Sequence, residues 1–142
     1  MLKKLLSKFY KKEIYRLDEE KYLTRYYLIR KRFYWMPGVY LHCFHAGDHD
    51  MELHDHPWAR SFSFILKGRY LEEYRVGNEV KQRILSPGMF NFVSGDKFHR
   101  VDLLDKQVWT IFVSGARVKD WGFWCRYTDK YTPHKLFFER DK

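Results

Sequence analysis

Short runs of aromatic and β-branched residues, separated by glycine and turn residues, leave few folds open to this 142-residue chain. Such runs start at residue 22 and favour strands over helices. Gly77-Asn78 predicts a hairpin turn, and Pro87-Gly88 predicts the next turn. Strands this numerous and closely spaced are typical of an all-β sandwich or jelly-roll barrel. We predict strands at residues 22–31, 38–45, 51–56, 61–67, 69–76, 80–85, 89–93, 98–104, 107–114 and 134–139.

The first sixteen residues follow a different pattern. Leu2, Leu5, Leu6 and Phe9 recur at helical spacing, and lysines occupy the other positions. This predicts an amphipathic basic helix over residues 1–16. No linker, repeat or low-complexity stretch divides the remaining chain, so we predict one β-barrel domain over residues 17–142.

The formal net charge of +9 is concentrated near the N-terminus. Residues 1–32 hold 11 Lys and Arg against 4 Asp and Glu, whereas the remaining 110 residues hold 16 against 14. A basic helix of this kind is suited to weak contact with an anionic membrane or a nucleic acid. The alternative is a docked helix with a solvated lysine face. No motif of a sequence-reading nucleic-acid module occurs, so sequence-specific nucleic-acid recognition is not expected.

Two features favour a cytoplasmic location. The two cysteines, Cys43 and Cys125, do not form the disulfide framework of a small secreted domain. Lysines interrupt the first apolar cluster, and no apolar run approaches the length of a membrane span.

Five of the seven histidines lie between residues 42 and 56. Residues two apart on a strand share a face, so His54 and His56 are predicted to project to the same side. His99 follows two hairpins later, at about the distance at which a barrel returns a strand opposite the first. Together these three imidazoles predict a site for a divalent metal ion.

Two acidic residues precede this pair. Glu52 continues the face of His54 and His56, and Asp50 lies two residues further back, so either is a candidate additional ligand; the alternative is a solvated acid at a strand end. No catalytic residue is assigned. We interpret the other histidines as surface or hydrogen-bonded residues: His42, His45, His49 and His134.

His54, His56 and Gly68 fit the first motif of the cupin superfamily, in which His-x-His is followed by a glutamate and then by a glycine. Ser61 stands where that motif has its glutamate. His99 matches the histidine of the second motif. The resemblance implies an all-β fold of the cupin type, a double-stranded β-helix or jelly-roll barrel.

Within that superfamily, the pentad His54-Asp55-His56-Pro57-Trp58 and the segment Phe98-His99-Arg100-Val101 resemble small RmlC-like cupins of bacteriophages and bacteria. The stretch from His54 through Ser61-Phe62 to Gly68 is more distantly similar to the first motif of thiol dioxygenases. Those enzymes hold Fe(II) with three histidines and have a non-acidic residue at the glutamate position. The resemblance therefore implies Fe(II) as the first choice of metal, with Mn, Ni or Zn as alternatives.

Three functions are compatible with these residues. The first is a metal-dependent oxygenase acting on a small anionic molecule, with substrate and dioxygen occupying the positions that three histidines leave open. The second is a non-catalytic cupin that binds or senses a small ligand, and the third is a metal-free cupin similar to the sugar-nucleotide isomerases. The resemblance also implies a homodimer formed through an edge strand, for which residues 22–31 are the candidate.

Overall fold

The computed structural model describes residues 2–16, 19–33, 35–48 and 52–140, with residues 138–140 described by their backbone only. The elements in chain order are α1 (Leu2–Leu6), β1 (Lys11–Tyr15), β2 (Lys21–Ile29), β3 (Gly38–Phe44), β4 (Leu53–His54), β5 (Arg60–Lys67), β6 (Tyr70–Val76), β7 (Glu79–Leu85), β8 (Phe90–Ser94), β9 (His99–Leu103), β10 (Val108–Ser114), β11 (Gly122–Cys125), β12 (Lys130–Pro133) and α2 (His134–Arg140).

Over the described residues these strands form two six-stranded sheets with antiparallel pairing. Sheet A has the order β1-β2-β3-β10-β5-β8, and sheet B has the order β12-β11-β4-β9-β6-β7. Neighbouring strands in each sheet are mostly distant in sequence, as in a jelly roll. The all-β prediction is confirmed, and the hairpin at Gly77-Asn78 joins β6 to β7, with Gly77 at a positive φ of 62°.

Side chains alternate between the inside of the sandwich and its surface. At one end the interior is apolar, with a buried cluster of Ile65, Tyr70, Leu85 and Val108. Further along the same inner face of sheet A the residues become polar, and Thr110 and Ser114 are completely or almost completely buried. One end of the barrel is therefore a hydrophobic core, while further along the interior polar side chains lie among aromatic rings such as Tyr40 and Phe112.

The helix predicted over residues 1–16 is wrong beyond Leu6. Residues Lys11–Tyr15 form β1, which pairs with β2 in a register that places Lys11 opposite Tyr26 and Ile14 opposite Leu23. The edge of sheet A offers this segment backbone hydrogen-bond partners along its whole length, and that outweighs a helical pattern too short to be stable alone. The segment is part of the sheet.

Two further predictions need correction. The strand predicted at residues 134–139 is the helix α2, which follows Pro133 and buries Phe137 completely against the ring of Phe123, 3.7 Å between centroids. The edge strand predicted at residues 22–31 is not an edge, because β2 lies between β1 and β3.

Among the described residues, no helix has the length and apolar character needed to cross a bilayer.

We expect deletion of residues 2–9 to leave the barrel folded and to remove most of any binding to anionic vesicles or nucleic acid, because the segment carries Lys3, Lys4 and Lys8. Such binding should weaken steeply with salt. Deletion through residue 16 also removes β1 and should lower the thermal unfolding midpoint further. Salt-dependent vesicle binding and thermal unfolding of both truncated chains test this, and unchanged anion binding by the shorter deletion would contradict it.

Candidate metal centre

Three histidines converge where β4 meets β9. His54 ends β4 and lies directly opposite His99, the first residue of β9. His56 follows two residues after His54, beyond the end of the strand. The three rings lie 4.9 to 5.1 Å apart between centroids, and one ring nitrogen of each lies within 4.8 Å of the others.

The intervening residue explains why both rings point the same way. Asp55 is almost completely buried, and its carboxylate accepts hydrogen bonds from the backbone amide of Gly122 at 2.7 Å and from Nζ of Lys119 at 2.5 Å. These contacts hold Asp55 on the side opposite its neighbours. The predicted pairing of His54 and His56 on one face is therefore produced by an anchored carboxylate as well as by strand geometry.

The spacing of the rings suits a single metal ion. Nε2 of His56 lies 2.8 Å from Nε2 of His99. Two nitrogens at right angles on an ion with metal–nitrogen bonds of about 2.1 Å would lie about 3.0 Å apart. His56 and His99 therefore have the spacing of two ligands of one divalent ion, and the third imidazole has its donor nitrogen within 4.8 Å of theirs.

Burial keeps two of the three imidazoles neutral. It lowers the pKa of His54 to about 4, against a smaller opposing effect of Asp48. It also lowers the pKa of His56 well below the ordinary value, and the neighbouring His99 and His54 act in the same direction. A neutral imidazole has the free lone pair that a metal requires.

We expect the metal-free protein to lose stability as the pH falls from about 7.5 to 5. The unfolded chain takes up a proton on His54 near its ordinary pKa, whereas the folded chain resists until about pH 4. Acid therefore favours unfolding, and His54 alone should lower the free energy of unfolding by about 2 kcal/mol over this range. Urea unfolding at both pH values measures the loss, which His54→Asn should reduce; equal slopes in the two proteins would contradict the explanation.

Glu72 orients His99 from inside the barrel. Its carboxylate is fully buried and accepts a hydrogen bond from Nδ1 of His99 at 2.7 Å. Because a carboxylate only accepts, Nδ1 of His99 carries the proton and Nε2 presents its lone pair toward the other two rings. A carboxylate behind a histidine ligand fixes the tautomer and raises the basicity of the ligand in metal sites.

The same carboxylate collects three more donors, from Asn91 at 2.7 Å, Arg83 at 2.8 Å and Lys97 at 3.2 Å. Burial alone would raise the pKa of Glu72, but the hydrogen bond from His99 and the nearby cations lower it far below its ordinary value. Glu72 is therefore ionised at neutral pH.

A second carboxylate, that of Asp48, lies near His54. One carboxylate oxygen accepts from the backbone amide of Val101 at 2.6 Å and lies 4.0 Å from Nδ1 of His54. The other accepts from the hydroxyl of Tyr22 at 2.8 Å. Asp48 is thus fixed in place and lies outside the group of converging donor atoms.

The acidic ligands considered from the sequence do not join this group in the described part of the chain. Glu52 is half-buried and lies outside the set of converging donor atoms. Asp50 and His49 lie outside the described residues. Ser61, at the position of the usual cupin glutamate, is buried and donates to the carbonyl of Val93 at 3.4 Å.

The remaining histidines lie elsewhere. His45 contacts the hydroxyl of Thr24 at 2.8 Å, and His134 stacks on Trp121 with 4.8 Å between centroids. His42 is buried on the inner face of sheet A, where its Nε2 accepts from Nε of Arg25 at 3.0 Å. Neither His42 nor Arg25 was singled out from the sequence as a functional residue.

A row of half-buried aromatic rings connects the histidines to sheet A. Trp58 stacks on His56 with 5.6 Å between centroids, and Phe112 lies 5.4 Å from Trp58. Phe112 in turn stacks on His42 at 5.1 Å. Trp121 flanks the other side of the centre, 6.2 Å from His54. These rings therefore pack beside the three histidines, between the candidate metal centre and the inner face of sheet A.

No protein-family model matches this sequence, and neither does any curated protein. Among solved structures, Fe(II)-HppE with its alternative substrate (S)-1-HPP matches with a TM-score of 0.62 at 17% identity, covering 77% of this chain and 57% of that one. A cupin superfamily protein from Desulfitobacterium hafniense DCB-2 matches with a TM-score of 0.52 at 13% identity, covering 66% and 77%. Oxalate decarboxylase from Lactobacillus farciminis, in a formate complex, matches with a TM-score of 0.58 at 12% identity, covering 79% and 32%.

This chain spans little more than half the length of HppE and about a third of that of the decarboxylase. At these identities the likeness is one of fold. The chain has the fold of the cupin superfamily.

Proposed function

We propose that this cupin-fold chain is a mononuclear metal-dependent enzyme of the oxygenase type that acts on a small anionic molecule. His54, His56 and His99 hold the metal, with Fe(II) first and Mn, Ni or Zn as alternatives. One observation carries the proposal: three imidazole nitrogens meet within 4.8 Å, and no carboxylate oxygen among the described residues joins them. When bound, an Fe(II) ion supplies Lewis acidity and electrons for dioxygen.

The charges around the centre favour an anion. Three neutral histidines leave both positive charges of a divalent ion uncompensated. Glu72 contributes one negative charge through His99, but its other oxygen is shared by the cations Arg83 and Lys97. A ligand that enters with a negative charge therefore meets a net positive environment.

The wall opposite the metal centre offers hydrogen-bond donors to the far end of such a ligand. Arg25 is half-buried and forms no ion pair with any described carboxylate. His42 accepts from Arg25 through Nε2, so the proton of its neutral ring lies on Nδ1, where it is available to a ligand. The hydroxyl of Thr110, directly opposite His42 in the sheet, is buried and has no partner.

These three donors are too far from the histidine cluster to be metal ligands, because facing sheets lie about 10 Å apart. Hydrogen-bond donors on one sheet and a metal ion on the other favour a molecule with an acidic or carbonyl oxygen at each end. Trp58 and Phe112 lie between the histidines and these donors, where they provide an apolar wall for the middle of such a molecule. Small molecules are bound in proteins of this fold, (S)-1-HPP in HppE and formate in oxalate decarboxylase, which supports a small ligand for this chain.

Elemental analysis of protein purified without a histidine tag is the first test. Iron or manganese near one equivalent supports the proposal, whereas protein that neither contains nor takes up a divalent metal contradicts it. Oxygen uptake by the iron-loaded protein is then measured with small thiol carboxylates, enols and 2-oxo acids. Stoichiometric metal without uptake above that of free iron would favour the non-catalytic ligand-binding cupin instead.

Arg25→Gln tests the ligand class. We expect it to weaken binding of an active anionic compound about 10-fold, as loss of a charged hydrogen bond does, with metal content unchanged. Arg32→Gln is the matched control, because Arg32 is exposed. Equal effects of the two substitutions would remove Arg25 from the binding site.

A further inference from the structure

The outer side of sheet A carries a continuous apolar surface, which we call the apolar face. The strand register aligns uncharged, mostly aliphatic and aromatic side chains in two rows that cross β2, β3, β10, β5 and β8. These residues face outward, because they alternate along the strands with inward-facing residues such as His42 and Thr110. One row runs from Tyr26 to Phe90 through Leu41, Ile111 and Phe64, and the other runs from Ile29 to Phe92 through Val39, Val113 and Phe62.

The apolar face is exposed at both of its ends. Phe92 is 71% exposed and Phe90 is 52% exposed on β8, and Ile29 is 56% exposed on β2. With about 200 Å² for a whole phenylalanine side chain, Phe90 and Phe92 alone expose about 250 Å². The largest apolar patch on a typical monomer is about 300–600 Å² and is often functional. With Ile29 and the half-buried residues between the two ends, the apolar face reaches the range that marks an interaction surface.

The N-terminal helix lies on the same side of sheet A. Leu2 and Leu6 of α1 line a groove together with Tyr26, Cys43 and Trp109. Cys43 and Trp109 are paired across β3 and β10 and face outward, so the groove is on the outer side of the sheet. Leu6 is buried there. Since Tyr26 belongs both to this groove and to the apolar face, α1 borders the apolar face directly.

The helix and the turn after it expose apolar and cationic side chains together. The first acid that follows, Glu13 on β1, pairs with Lys21 at 2.9 Å, so it does not neutralise the lysines of this segment. The exposed residues are two leucines, at 61% and 52%, and three lysines: Leu2, Leu5, Lys3, Lys4 and Lys8. A positively charged border therefore adjoins the uncharged apolar face.

This combination suits an anionic lipid bilayer better than a protein or a nucleic acid. Lysine is depleted at protein–protein interfaces. Nucleic acids require cations along the path of their backbone, whereas the two rows of the apolar face carry none. A bilayer takes up apolar and aromatic side chains at the boundary between headgroups and acyl chains, and its anionic headgroups attract neighbouring lysines.

We propose that the outer side of sheet A docks on an anionic lipid membrane. The exposed side chains of Ile29, Phe90 and Phe92 enter the boundary between headgroups and acyl chains, and the lysines of the N-terminal segment contact anionic headgroups. The net charge of +9, concentrated in residues 1–32, attracts the chain to such a surface. The three histidines lie on or next to strands of sheet B, so docking leaves the candidate metal centre free.

The test is cosedimentation of the full chain with lipid vesicles at low salt. We expect binding to vesicles of phosphatidylcholine and phosphatidylserine, and much weaker binding to phosphatidylcholine alone, because the lysines require anionic headgroups. Phe90→Ser/Phe92→Ser should raise the lipid concentration for half-maximal binding at least about 10-fold. Lys3→Gln/Lys4→Gln/Lys8→Gln should raise it about 100-fold, at about 5-fold for each lysine.

The matched control is Ile84→Ser/Tyr127→Ser. Ile84 lies on β7 and Tyr127 follows β11, and both strands belong to sheet B. Their exposures of 53% and 79% are similar to those of Phe90 and Phe92. The control should bind the mixed vesicles as the wild type does.

Three results would overturn the proposal: a wild type that does not bind the mixed vesicles, a Phe90→Ser/Phe92→Ser variant that binds them equally well, or a control that loses as much binding. The first would mean that something other than a membrane covers the apolar face. The second would reduce the contact to an attraction of the lysines to any polyanion, nucleic acid included. Circular dichroism and thermal unfolding establish that each variant is folded. If the double serine variant does not fold, Ile29→Ser should still weaken vesicle binding about 5-fold, and unchanged binding would also refute the proposal.

Discussion

His99→Ala is expected to reduce the affinity for Fe(II) or Zn(II) by more than about 100-fold, because even a residue that only supports a metal ligand is worth about 10–100-fold. His99 connects the candidate metal ligands to the supporting carboxylate, because its Nε2 faces His56 and its Nδ1 donates to Glu72. Its loss removes a ligand and disconnects the supporting carboxylate. His54→Ala and His56→Ala should have effects of the same order. Isothermal titration of the metal-free proteins measures the change.

His45→Ala and His134→Ala are the matched controls, because both replace a histidine that lies outside the converging group. We expect both to bind one equivalent of metal with unchanged affinity. Full metal occupancy in the His99→Ala protein would remove His99 from the site and refute the three-histidine centre. Loss of binding in both controls would indicate that the substitutions act through folding.

Glu72→Ala is expected to lower the free energy of unfolding of the metal-free protein by about 3 kcal/mol, because it leaves buried donors and cations without their shared acceptor. The side chain of Arg83 is 38% exposed, so water can partly replace its lost partner. The expected loss of stability is therefore near the lower end of the range of about 3–5 kcal/mol for breaking a buried ion pair. Urea unfolding at neutral pH measures it. Glu79→Ala, on the neighbouring strand β7 and exposed, should change stability by no more than about 0.5 kcal/mol.

Glu72→Gln separates charge from packing. The amide has nearly the same shape, but it provides one acceptor oxygen and no negative charge. We expect metal affinity to fall about 10-fold, since His99 loses its charged partner. Equal metal affinity in Glu72→Gln and the wild type would show that Glu72 serves only the stability of the barrel.

The sequence predicted the features that depend on short-range pattern. Period-two alternation and turn residues located most of the strands from β2 to β10, and the turn at Gly77-Asn78 was placed correctly. The spacing of His54 and His56, and the return to His99, identified the three residues that the fold brings together. The prediction that these residues bind a metal awaits the titration.

The supporting residues depend on long-range register and were missed. Glu72 resembles an ordinary acid in a hairpin, and its burial results from cross-strand pairing with β9 and from Asn91 on the opposite sheet. A signal was present, because Tyr70, Glu72 and Tyr74 share one face of β6, and the aromatic residues on either side predict that this face is inward. The wrong predictions at the two termini have another cause. Pairing with the edge of β2 makes residues 11–15 a strand, and burial of Phe137 accompanies the helix at residues 134–140.

The anchoring of Asp55 has a consequence for the order of events during folding. The segment between His54 and His56 is held by Lys119 and Gly122, which are 64 and 67 positions from Asp55 along the chain. Contacts of such separation form late, because the closure of a long loop must precede them. During synthesis His54 and His56 leave the ribosome well before Lys119 and Gly122, so the nascent chain has these two ligands before the segment between them is anchored. Metal capture therefore follows closure of the barrel, and a chain truncated before Gly122 should contain all three histidines and lack a high-affinity site.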